Sequence, residues 1–245
     1  MPGQTNRRAR KLTRADAAAL YARLAEARPD PRTELDYVNP FTLVVAVALS
    51  AQATDKGVNR ATGPLFKIAD TPQKMIALGE AGLADHIKTI GLWRNKAKNV
   101  IALSQQLVDL HGGEVPHDRA ALEALPGVGR KTANVVLAEA FGEATIAVDT
   151  HVFRVANRTG LASGKTPDAV EAQLMKITPP DYLHGAHHWL ILHGRYVCVA
   201  RTPKCLVCPV REICTFPQKT GAQPRAAARA SAKKRAPSGA KAKKR

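Results

Sequence analysis

Apolar residues recur along this chain at helical spacing almost everywhere, and strand-type alternation is scarce. The pattern predicts one helix after another. Residues 13–28 carry Ala17, Leu20, Tyr21, Leu24 and Ala27 on one face, and Pro29 and Pro31 end the segment. Phe41 to Gln52 is apolar on nearly every side, which predicts a central buried helix, and it turns abruptly polar at Ser50, Gln52, Thr54 and Asp55. Asp55 reads as the cap of a short helix ending near Gly63–Pro64, and another helix opens at Thr71–Pro72 with proline in its first turn. Ile87 to Lys96 reads as a helix end, a turn holding Leu92 and a new start. The helix that follows carries Ala97, Val100, Ile101, Ser104, Leu107 and Val108 on one face and stops at Gly112–Gly113.

The next stretch, Leu125-Pro-Gly-Val-Gly-Arg-Lys-Thr-Ala133, organises the rest. Asp118 can cap a short helix bearing Ala121, Leu122 and Leu125, and Pro126 stops it. Gly127 and Gly129 permit a tight hairpin and the close approach of another backbone or a phosphate. A second helix then carries Ala133, Val136, Leu137, Ala140 and Phe141, and Gly142 closes it. The free amides at its start form a ready phosphate site. Lys131 lies in its first turn, where the helix dipole and partial burial both favour the neutral amine. Two roles are open to it: pairing with phosphate, or nucleophilic attack.

Past Gly142, a short apolar link leads to Asp149, placed to cap a helix through Val152, Phe153 and Ala156. That carboxylate could also stabilise positive charge on a sugar ring or move protons near Lys131; from sequence alone the cap is the simpler role. Thr166–Pro167 starts another helix, and a last one near 182–197 brings His184, His187, His188 and His193 towards Cys198. The whole reads as an all-α protein.

Charge changes the picture. The chain of 245 residues has a net charge of +17, of which ten Lys/Arg and no acidic residue lie from Lys219 onward, leaving +7 for the remainder. A basic body with a basic tail points to a polyanionic partner, most simply nucleic acid, with a solubilising tail as the bland alternative. Residues 1–12 and 219–245 lack the apolar residues a core needs and read as disordered basic arms. For the first of them an organellar transit peptide is the weaker alternative. No apolar run is long enough to span a bilayer and no signal-peptide core stands near the N-terminus, so a cytoplasmic protein is expected. With a nucleic acid in view, Gln52 and Leu92 gain a second reading. An amide and an apolar wedge at turns between helices can fill a gap in a base stack, against the plainer roles of helix-end amide and core leucine.

Cys198-x6-Cys205-x2-Cys208-x5-Cys214 places every cysteine of the chain in one short segment. That excludes a disulfide framework and indicates a metal site. The unequal spacing suits the corners of a [4Fe–4S] cluster and leaves one zinc ion as the alternative. Arg201 and Lys204 lie in the loop between the first two ligands, where a fixed basic loop could grip phosphate.

The hairpin with Lys131, the Val148-Asp149-Thr-His-Val segment and the cysteine spacing together closely resemble the endonuclease III family, bacterial DNA glycosylases with AP lyase activity in the helix-hairpin-helix superfamily. Leu49-Ser-Ala-Gln-Ala-Thr-Asp55 and Ile90-Gly-Leu92 resemble further signatures of that family. The resemblance covers roughly residues 13–218. It implies a six-helix barrel domain at 33–143 and a second domain made of 13–32 plus 144–218, with a DNA cleft between them. It implies that Lys131 is the nucleophile, that Asp149 is its catalytic partner and that Cys198, Cys205, Cys208 and Cys214 hold [4Fe–4S]. Gln52 and Leu92 would fill the space left by a flipped nucleotide. Gly127, Val128, Gly129 and Arg130 would meet DNA through the hairpin, and Arg201 and Lys204 through the cluster loop. The activity implied is removal of oxidised pyrimidines from double-stranded DNA, followed by β-elimination at the abasic site, by a monomer at the nucleoid of a bacterial cytoplasm. Lys131 separates this reading from adenine-excising relatives, which lack a lysine there.

Overall fold

A computed structural model of the protein describes residues 9–221. The flanking segments 1–8 and 222–245, which hold most of the two expected basic arms, lie outside the described residues. Ten α-helices are found among the described residues, and no strands.

Most helices begin where the sequence offers a cap. Thr13 and Asp16 bond each other's backbone amides to open α1 (Arg14–Ala27), and Asn39 and Thr42 do the same for α2 (Pro40–Leu49). Hydroxyl caps open α3 (Asp55–Phe66), α4 (Pro72–Ile87) and α9 (Pro167–Ile177) through Thr54, Thr71 and Thr166. Carboxylate caps open α6 (Arg119–Glu123) and α8 (Thr150–Thr159) through Asp118 and Asp149. In contrast, α5 (Trp93–His111), α7 (Arg130–Phe141) and α10 (Leu183–Tyr196) begin without a side-chain cap. Two boundaries differ from expectation. Thr54 rather than Asp55 caps α3, which frees the Asp55 carboxylate for Arg195. That helix also runs past Pro64 to Phe66, because Leu65 and Phe66 are buried and a proline so near the end forfeits only one backbone bond. Gly79, at φ 73°, interrupts α4.

The buried side chains form two cores. Helices α2 to α7 enclose the first, with α2 at its centre: Phe41, Leu43 to Val47 and Leu49 are all buried, and α7 packs along it. The second joins α1 to α8, α9 and α10 through Leu20, Tyr21, Leu24, Val152, Val155, Leu174 and Leu190, and extends to Val210 beside the cysteines. Each fully buried leucine or valine contributes roughly 1.5–3 kcal/mol relative to exposure, so both bodies have ample driving force. Leu12 is buried in the second core, and its amide donates to the Gly160 carbonyl at 2.9 Å. Gly160 has φ 91°, and a Cβ there would lie 2.2 Å from the Arg10 carbonyl oxygen, so the chain passes where only glycine fits. At the other end Lys219 Nζ donates to the Arg211 carbonyl at 2.6 Å. No described helix is long and apolar enough to cross a membrane.

Candidate active site and cluster cavity

The hairpin between α6 and α7 sets the first wall of a cleft. Val128 N–H closes the turn onto the Leu125 carbonyl at 3.0 Å, and both side chains are buried, which anchors the loop from beneath. Gly127 has φ 80°, and a Cβ there would press on the Asn99 side chain at 3.0–3.1 Å. Gly129 faces open space, so α7 presents its first amides outward, unobstructed and without a side-chain cap. Lys131 follows in the first turn. It is exposed, so the partial burial expected of it is not found.

An open cavity of about 760 Å³ brings Lys131 together with Gln52, Asp149, Ser50, His151, Lys165 and Arg195. Asp149 reaches it from the start of α8. One carboxylate oxygen, Oδ1, accepts the His151 and Val152 amides at 2.8 and 2.7 Å, while Oδ2 makes no hydrogen bond to the described residues. The cap role is therefore filled by Oδ1 alone. Gln52 and Leu92 stand at two neighbouring turns. Both are exposed, and both have positive φ, 54° and 60°; among the described residues no other non-glycine does. Left-handed backbone at such residues costs roughly 1–2 kcal/mol each, which marks these turns as built to hold a shape. Leu92 is not a core leucine, being 58% exposed.

Arg130 is placed differently. Its guanidinium grips Glu171 of α9 through Nε and Nη2 at 3.1 and 2.8 Å, and Arg119 approaches the same carboxylate at 3.9 Å. The hairpin is thereby tied to the second core, and the arginine fork is held by a carboxylate.

Several cleft residues escaped the sequence reading. Arg195 of α10 pairs with both Asp55 and Glu34 beside Lys131. The same three residues share a small pocket with Lys131, His187, His188, Val135 and Val47. His187 Nδ1 lies 2.9 Å from the Ala147 carbonyl, which makes Nδ1 the protonated nitrogen. His188 Nε2 lies 3.3 Å from Glu139. Burial pushes His187 down to about 4 and His188 down to about 3, and raises the Glu139 carboxyl. Both rings are neutral at neutral pH, so the Glu139 contact is not an ion pair. In the sequence the paired histidines looked only like neighbours of Cys198; their inward placement follows from the α10 register, in which Ala186, Leu190 and Ile191 face the same core.

The four cysteines line a separate small cavity. No three His, Cys, Asp or Glu side chains among the described residues converge closely enough to grip one ion. All four thiols nevertheless line one void, as donors around a body larger than an ion do. Burial pushes the Cys208 thiol up to about 11 and raises Cys214, so iron charge is what would hold these sulfurs as thiolates. Cations are in place to balance the resulting negative group. Arg158 Nη1 lies 3.7 Å from Cys198 Sγ, and Lys204, Arg211 and Lys219 share the lining. Arg158 also grips the Val199 and Ala200 carbonyls at 2.7 and 2.6 Å, which fixes the loop that exposes Arg201 and Lys204. The residues present therefore fit a [4Fe–4S] cluster.

Comparison with known proteins agrees with this geometry. Residues 45–180 match the HhH-GPD superfamily of base excision DNA repair proteins, and residues 198–214 match the iron–sulfur binding domain of endonuclease III. Endonuclease III of Haemophilus influenzae is 56% identical over 200 residues, covering 82% of this chain and 95% of that protein. Endonuclease III of Escherichia coli K12 is 53% identical over 208 residues, covering 85% and 99%. A solved structure of a trapped endonuclease III–DNA covalent intermediate superposes with a TM-score of 0.78 at 46% identity, covering 83% of this chain and 96% of that one. With the hairpin, the cleft and the cluster cavity in one chain, the protein belongs to the endonuclease III family of the HhH-GPD superfamily, a DNA glycosylase/AP lyase of base excision repair that carries a [4Fe–4S] cluster.

Proposed function

We propose that the protein excises oxidised pyrimidines from double-stranded DNA and cuts the strand at the resulting abasic site, with Lys131 as nucleophile. The observation that carries the reading is the convergence of Lys131, the free Oδ2 of Asp149 and Gln52 on one open cleft. The solved relative's DNA adduct is consistent with attack by a protein nucleophile.

The damaged nucleotide leaves the stack, at least cost where its pairing is already weak. Gln52 and Leu92 occupy the gap. The α7 amides and the hairpin residues Gly127, Val128 and Gly129 hold phosphate on one side, and Arg201 and Lys204 on the other. Arg130 contributes mainly by tying the hairpin to α9. The Lys131 amine lone pair attacks C1′, and the C1′–N bond breaks with its electrons going to the departing base, which takes up a proton. Asp149 offsets the positive charge that builds on the sugar. Opening of the sugar ring gives an imine between Nζ and C1′. A C2′ proton is then lost, and its electrons expel the 3′ phosphate. Water hydrolyses the imine and frees the lysine. Cys198, Cys205, Cys208 and Cys214 would hold the cluster as thiolates, and the cluster would in turn keep this loop in place.

Residues 33–143 serve as one domain in this reading, and 13–32 with 144–218 as the other. Both walls of the cleft come from one chain, so a monomer suffices. The relatives named above are bacterial, which supports a cytoplasmic place beside the nucleoid.

Borohydride trapping tests the reading, since it reduces the imine to a stable protein–DNA amine. Duplexes carrying one oxidised pyrimidine or one abasic site should both yield adduct, and Lys131→Ala should yield none while still binding duplex. Adduct from the variant would remove Lys131 as nucleophile; adduct from the abasic duplex alone would remove the oxidised-pyrimidine assignment.

A further inference from the structure

The two strained turns are joined by a side chain that neither the activity nor the family match assigns. Lys96 stands one helical turn after Leu92, and its amide donates to the Leu92 carbonyl at 3.1 Å. Its side chain runs inward and is buried, and Nζ donates to the Ala51 carbonyl at 2.7 Å. Ala51 directly precedes Gln52, and its carbonyl accepts from no backbone amide among the described residues. The turns also meet elsewhere, for a Cβ on Gly91 would lie 3.9 Å from the Gln52 carbonyl oxygen.

Lys96 is costly where it stands. It is 7% exposed, and no carboxylate pairs with it among the described residues. It sits near the N-terminus of α5, the helix end that disfavours a cation. Burial lowers its pKa. A methionine or leucine of similar length would fill the same space without an ammonium to desolvate. The amine therefore answers to a need other than packing, and its acceptor is the carbonyl beside Gln52.

We infer that Lys96 is a positioning residue that locks the Gln52 and Leu92 turns into one rigid wedge. The inference rests on the reading above, in which these two side chains fill the gap in duplex DNA. The wedge must resist the closing of the base stack around it. A loop held at 51 by an ammonium whose stem leaves α5 at the next turn cannot splay away from Leu92 without breaking that bond. Single-stranded DNA offers no gap to fill, so the lock acts on duplex substrate alone.

The test compares single-turnover cleavage at an abasic site in duplex with cleavage of the same strand unpaired, for the cluster-loaded full chain and for Lys96→Met, Lys96→Arg, Gln52→Ala and Leu92→Ala. A displacement of this kind can cost up to about 100-fold. Lys96→Met is expected to lose at least tenfold on duplex and under twofold on the single strand, and Lys96→Arg, which keeps a donor, to recover most of it. Equal loss on both substrates, or full duplex activity in Lys96→Met while Gln52→Ala and Leu92→Ala lose theirs, overturns the lock. Unchanged duplex activity in Gln52→Ala and Leu92→Ala overturns the wedge reading itself, and the inference falls with it. If Lys96→Met does not fold, Lys96→Gln takes its place, with amide exchange at residues 51–53 expected to quicken; unchanged exchange there overturns the lock.

Discussion

At the residue scale, the Asp149 carboxylate caps α8, and the proposed function gives it a second, chemical role. Oδ1 is consumed by the α8 cap and Oδ2 is left for the cleft. Substitutions separate the two roles. Asparagine keeps an oxygen acceptor and caps about as well as aspartate, whereas alanine forfeits about 1 kcal/mol of helix stability. Asp149→Asn should therefore melt near the parent temperature, and Asp149→Ala a few degrees below it. Both should lose strand cleavage by about 10²–10⁴-fold, the usual worth of a positioned acid or base. Thermal denaturation and single-turnover cleavage read the two effects separately. Full activity in Asp149→Asn would reduce the residue to a cap.

The elements show what a sequence can and cannot reveal. Caps and stops are local, so Thr13, Thr71, Asp118, Asp149, Thr166 and Gly142 mark helix ends that the structure places within a residue or two. The cysteine spacing and the glycine hairpin are local as well. What stays hidden in the sequence is pairing across long separations: Lys96 with Ala51, Arg130 with Glu171, Arg195 with Asp55 and Glu34. Local periodicity carries no signal for which α9 residue faces which α7 residue. The Arg130–Glu171 tie carries a prediction at this scale. The Glu171 side chain is 10% exposed and faces two arginines, one of which, Arg119, has a buried Nε without a partner. Glu171→Ala should cost about 1–3 kcal/mol, below the range for a fully buried pair because both arginines reach solvent. It should also release Arg130 towards phosphate, steepening the salt dependence of duplex binding by about one ion. Adding Arg130→Ala should return the slope to the parent value. Identical slopes in all three proteins would show that Arg130 cannot reach DNA even when freed.

For the whole molecule, the seam between the two cores governs the response to acid. His187 and His188 project from α10 of one core towards Lys131 and Val135 of the other, and Asp149, Glu139 and Arg195 are the other charged groups that bear on them. Their folded values of about 4 and about 3 lie below the ordinary 6.5, so between those limits the unfolded chain binds more protons. Their contribution is complete above about pH 6.5 and is lost as pH falls towards 4 and then 3, by about 1.4 kcal/mol per pH unit for each proton. Glu139, whose carboxyl is raised by burial, works in the opposite sense and offsets part of the slope. For a chain of this size each proton corresponds to a fall in Tm of roughly 3–6 °C per pH unit. Tm should accordingly be flat from pH 8 to 7 and decline below about 6.5. His188→Gln, which cannot take up a proton, should remove about one proton's worth of that decline. An undiminished slope in the variant would move the acid sensitivity out of the seam and into the cysteine cavity, where His193 lies 3.6 Å from Cys208 Sγ. The comparison therefore decides whether the seam or the cysteine cavity gives way first. Acid failure at the seam opens the cleft while the cluster loop is still intact, so the iron–sulfur absorbance should outlast the loss of strand cleavage on lowering the pH.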